Sequence, residues 1–70
     1  MQALSEARPG ETYTIKWMLG VPEVLEFLHS HHVEEGGTIR LIHRCYDSVI
    51  IGIQDKRFVI GDEIAERIKV

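Results

Sequence analysis

Cysteine, proline and aromatic residues are all scarce in this 70-residue chain. It has one Cys, two Pro and 7% aromatic residues. A lone Cys45 forms no internal disulfide and builds no cysteine zinc site, so both usual staples of very small domains are absent. Long apolar runs are absent as well. Val49-Ile50-Ile51, three residues, is as long as any uninterrupted stretch becomes, far below the roughly 20 a bilayer-spanning helix needs. Met1-Gln2-Ala3-Leu4-Ser5-Glu6 has neither a basic segment nor an apolar run, so no secretory signal is expected and a cytoplasmic location is. No excess of positive charge is present: eight Lys and Arg face eleven Asp and Glu, a net charge of −3. That balance argues against nucleic acid and against direct membrane insertion or anionic lipid.

What remains is 44% hydrophobic residues in a chain sized for one small core, read as a single domain over 1–70. A chain this short buries only roughly 60% of its unfolded surface, so its stability is expected to be marginal.

The apolar pattern changes period along the chain. Pro9-Gly10 favours a tight turn. After it, Thr12 to Trp17 alternates and places Tyr13, Ile15 and Trp17 on one buried face of a strand. Trp17 could stack on a peptide, but its place on that face argues for the core. Pro22 suits a first helical turn, Glu23 and Glu26 suit the positive end of the helix dipole, and Val24, Leu25, Phe27 and Leu28 form an apolar stripe. The spacing predicts a helix over about residues 22–32, ending before the reversal at Glu34-Glu35-Gly36-Gly37.

The second half reads as strands. Ile39, Leu41, His43 and Cys45 fall on one side, and Arg40, Ile42 and Arg44 on the other. Tyr46-Asp47-Ser48 and Asp55-Lys56 are turns, and Gly52 inside a Val49/Ile51/Ile53 strand suggests a bend. A short strand Arg57–Ile60, a helical turn around Glu63–Glu66 and a final edge strand Ile68–Val70 complete the order. A mainly β fold of about five strands follows, with one α-helix between the first and second strands and a short helical turn before the last. Curling into a small barrel would hide its edges.

Leu4-Ser5-Glu6-Ala7-Arg8-Pro9-Gly10, then Tyr13, Ile15 and a hydrophobic helix, then Gly36, the Ile39/Leu41 strand and the ending Ala65-Glu66-Arg67-Ile68-Lys69-Val70, resemble the FeoA family over nearly the whole chain. The resemblance implies a small cytoplasmic SH3-like barrel, an accessory or regulatory role in ferrous iron uptake, and a partner in the membrane GTPase transporter FeoB. The same module ends some iron-dependent repressors, which leaves a metal-sensing or transcription-regulatory module as the alternative. No preceding helix-turn-helix is expected here, and with the net negative charge direct DNA binding is the weaker branch. One departure is expected to matter: His31-His32 stands where the family carries Leu-Gly after the helix, and Glu35 replaces a proline, so the helix exit is expected to differ.

The same loop holds the candidate site residues. On a helix His29 and His32 are i, i+3 neighbours that could meet one Fe²⁺ or Zn²⁺ ion, with Glu34 or Glu35 as further ligands. The competing reading has His29 and His32 solvated and His31 half-capping the core, and it leaves the chain without a cofactor. His43 and Cys45, two apart, read as partly buried neighbours rather than a chelating pair. For partner binding the candidates are Phe27, His31, Val33, Glu34 and Glu35. Phe27 and Val33 either anchor a partner or finish the core. No phosphate loop or nucleophile elbow is present, and Ser30 beside the histidines is expected to point away from them, so no enzyme is expected. A monomer or weak homo-oligomer fits the composition.

Overall fold

The computed structural model describes all of residues 1–70. A 3₁₀ turn at Leu4–Glu6 precedes β1 (Thr12–Thr14), β2 (Trp17–Met18), α1 (Pro22–Ser30), β3 (Thr38–Arg44), β4 (Ser48–Ile53), β5 (Lys56–Gly61), α2 (Asp62–Ala65) and β6 (Ile68–Lys69). The strands form two antiparallel sheets, one ordered β1-β3-β4-β5 and one pairing β2 with β6. The expected small barrel of about five strands is replaced by six strands in two sheets that do not close into one barrel, with mainly β, SH3-like character retained.

The extra strand arises at one bend. Thr14 pairs with Thr38 in the larger sheet, and Ile15 continues that ladder through bonds with Gly36 and Gly37. At Lys16 the chain changes partner: its N–H donates to the Lys69 carbonyl at 2.7 Å, and β2 then runs along β6. A segment that serves two sheets must rotate between them, so strict alternation fails. Ile15 and Met18 point inward, three apart, and Trp17 is turned out at 36% exposure, against its expected place beside Tyr13 and Ile15.

A second irregularity shifts β3. Leu41 faces Ile51, but His43 faces Ile50, leaving Ile42 as the extra residue of a bulge. Beyond it the two faces exchange. Arg44 now lies opposite the buried Val49, while His43 and Cys45 are exposed rather than on the Ile39/Leu41 face.

Fifteen buried side chains form one core, including Ile15, Leu28, Leu41, Ile51 and Ile68, with Phe58 packed partly buried against it. The core contains no buried polar residue. Leu4 and Ala7 of the N-terminal segment are fully buried in it. That segment is tied down by Gln2–Val70 backbone bonds of 3.0 and 2.8 Å.

Candidate functional site

Helix α1 ends at Ser30, two residues before the expected limit, because His31 leaves helical geometry and His32 adopts φ +68°. The His32 N–H donates to the His29 carbonyl at 3.0 Å and the Val33 N–H to the Leu28 carbonyl at 2.9 Å. This is the pair of bonds by which a left-handed residue closes a helix. His32 itself takes the left-handed conformation, which glycine would adopt without strain. Val33 then falls onto the core at 1% exposure, beneath the loop. It finishes the core and offers no surface to a partner, so it leaves the set of contact candidates.

Phe27 behaves in the opposite way, standing 56% exposed on the helix surface. Its ring centroid lies 4.5 Å from that of His31, one turn on, and His31 meets Phe58 of β5 edge-on at 4.7 Å. His31 Nδ1 is 2.9 Å from the Phe27 carbonyl oxygen, so Nδ1–H is the donor. Half-buried, His31 joins the end of α1 to the sheet and holds Phe27 as the outer step of an aromatic ledge. The i, i+4 spacing of Phe27 and His31 carried this signal in the sequence. The part played by Phe58, distant in sequence, did not show there.

Ser30 Oγ lies 3.2 Å from His31 Nδ1, closer than adjacency on a helix allows, because His31 is already outside α1. This contact makes no nucleophile and base pair. Ser30 donates its own proton to the Phe27 carbonyl at 2.7 Å, and His31 donates to the same oxygen.

Among the candidate metal ligands, His29 Nε2 lies 3.5 Å from Glu35 Oε1, both side chains 48% exposed. His32 and Glu34 are exposed and outside this pair. Nowhere do three His, Cys, Asp or Glu side chains gather with the geometry to hold a metal ion. Cys45 is free and exposed at the β3–β4 hairpin, beside a fully exposed Tyr46. No helix is long and apolar enough to cross a membrane.

The FeoA domain family model matches residues 2–70. The chain belongs to the FeoA family. A crystal structure of an iron uptake regulatory protein, FeoA, is 30% identical, with 94% of this chain and 89% of that one aligned and a TM-score of 0.84. A manganese-dependent transcriptional repressor aligns over 96% of this chain and 39% of its own at 20% identity and TM-score 0.85. The Cd²⁺-bound structure of ScaR aligns over 97% and 33% at 18% identity and TM-score 0.85. These two likenesses are of fold, and this chain spans 39% of one repressor and 33% of the other. A search of curated proteins gave no match. The family is associated with ferrous iron transport, and no catalytic family is indicated.

Proposed function

We propose that this FeoA-family chain is a non-enzymatic accessory or regulatory protein of ferrous iron uptake that acts in the cytoplasm by binding the membrane GTPase transporter FeoB. The observation that carries the reading is the FeoA domain match across residues 2–70, supported by the 30% likeness to an iron uptake regulatory protein. A standard interface takes about 800 Å² from each partner, about a sixth of the 4605 Å² this chain exposes. Binding is then its whole activity, with neither nucleic acid nor membrane insertion required and the chain a monomer or weak homo-oligomer. The contact uses Phe27 and His31, flanked by Glu34 and Glu35. An exposed aromatic fixed by its neighbours loses little freedom on association.

A second reading, a metal-sensing or regulatory module, is favoured by the fold shared with metal-dependent repressors. Deleting the gene and measuring Fe²⁺ uptake separates the two. The accessory role expects reduced uptake, restored by the wild-type chain. Normal uptake together with altered transcription of metal-responsive genes would favour the regulatory reading.

A further inference from the structure

The outer face of the larger sheet carries a second feature, unrelated to the helix exit. Register sets Thr12 beside Arg40, Arg40 beside Gly52, and Gly52 beside Arg57, one residue from each of β1, β3, β4 and β5. Their neighbours Ile39, Leu41 and Ile51 are buried, so alternation turns this row outward. Two strand spacings of about 4.8 Å put the arginine backbones roughly 10 Å apart, with a glycine between them. Gly52 keeps that gap open at the backbone. A Cβ there would lie 3.0 Å from Ile42 Cδ1, because the bulge lays the Ile42 side chain against the glycine. The result is an open cleft of about 590 Å³ with Ile42 and Gly52 in its floor and Arg40, Arg57 and Lys56 around it.

These three cations are all exposed and none forms an ion pair; the chain's ion pair is His29–Glu35, elsewhere. Their side chains are also free of hydrogen bonds within the chain, whereas Arg44, Arg67 and Lys69 each bond a carbonyl. Asp55 lines the same cleft without pairing to them. In a protein of net charge −3, three unpaired cations on one concave surface form a local reversal of sign. Guanidinium groups bind carboxylates through two parallel hydrogen bonds, and a pair of arginines across a gap suits two carboxylates of one extended segment.

We infer that the Arg40–Gly52–Arg57 cleft binds an acidic segment of a partner protein. The acidic remainder of the surface repels polyanions such as nucleic acid and anionic membranes, and the cleft has the breadth of a few side chains. The inference relies on the proposed accessory role only for the source of the segment, and the peptide titration that tests it is read without the transporter.

The test is titration of the ¹⁵N-labelled full chain with acetyl-Glu-Glu-Leu-Glu-Glu-amide, followed by amide shifts. Saturable shifts are expected around Arg40, Gly52 and Arg57. Affinity is expected to fall when salt rises from about 50 to about 300 mM, and no such shifts are expected with the lysine counterpart of the peptide. Arg40→Glu with Arg57→Glu is expected to weaken binding at least about tenfold. Arg40→Gln with Arg57→Gln is expected to do the same with side-chain length kept, and the amide spectrum itself reports that each variant is folded. Shifts absent, located elsewhere or unchanged in the double variants would overturn the assignment. Equal shifts from inorganic phosphate at like concentration, or tighter binding of a DNA duplex, would overturn it in favour of those occupants. If the transporter fails to associate while the peptide shifts persist, the accessory role fails and the cleft stands. If association is found but no peptide shifts are, the cleft fails and the accessory role stands.

Discussion

The β3–β5 meander and the helix exit are built in opposite ways. The meander joins residues far apart: Leu41, Ile51 and Phe58 sit in one row across three strands, Val49 and Ile60 in another, and Leu41, Val49 and Ile51 are fully buried. The helix exit, His29 to Gly37, is held mostly by backbone bonds spanning three to five residues and by two side chains on one carbonyl, is tied to the sheet at its far end by the Ile15 bonds with Gly36 and Gly37, and contributes a single core residue, Val33. Stability is therefore concentrated in the meander. The exit can carry exposed groups such as Phe27 beside it and tolerate polar change at little cost to the fold.

The contrast is tested most severely by core truncation. Leu41→Ala or Ile51→Ala is expected to cost about 2–5 kcal/mol in urea unfolding, comparable with the whole stability of a small domain. Substitution of Phe27 by Ala, on the other surface, is expected to change stability by less than about 1 kcal/mol, as at other exposed positions. Equal losses at the two sites would break the comparison. Gly52→Val comes next, with a change expected to stay below about 1 kcal/mol, because the flexible end of the Ile42 side chain need give only a few tenths of an ångström and valine suits a strand better than glycine. At the exit a gain is expected instead. His32→Gly relieves the left-handed strain at φ +68° and is expected to raise stability by about 0.5–1 kcal/mol, while His32→Val lowers it by about 1–2 kcal/mol. The smallest effect is expected at the exposed His29–Glu35 pair, where either alanine variant changes the unfolding free energy by less than about 0.5 kcal/mol. Anaerobic Fe²⁺ titration is expected to be equally insensitive to His29→Ala. A stoichiometric site lost in that variant would give the exit a metal-binding role.

The elements whose residues carry their own local signal were legible in the sequence. Pro22 and the Val24/Leu25/Leu28 stripe fixed α1 to within two residues of its end, and period-two alternation located β4 and β5. Three departures were not legible, and the first two depend on partners distant in sequence. Trp17 turned outward because Ile15 and Lys16 divide between sheets. His43 and Cys45 turned outward because of the bulge at Ile42. His32 took a conformation its side chain disfavours, since the bond from Val33 to Leu28 and the burial of Val33 require it. Of the candidate contact set Phe27, His31, Val33, Glu34 and Glu35 read from sequence, the structure withdraws Val33 by burying it and sets Phe58 against His31. The cleft between Arg40 and Arg57 was hidden because only strand register places the two arginines on either side of Gly52.

Co-purification of the intact chain with its cognate FeoB-type transporter tests the central claim, a binding protein whose contact is the ledge at the helix exit. The expected result is a complex that survives His29→Ala with His32→Ala and is weakened at least about tenfold by Phe27→Ala. Absence of association in every nucleotide state of the transporter, or a complex indifferent to Phe27, would contradict it.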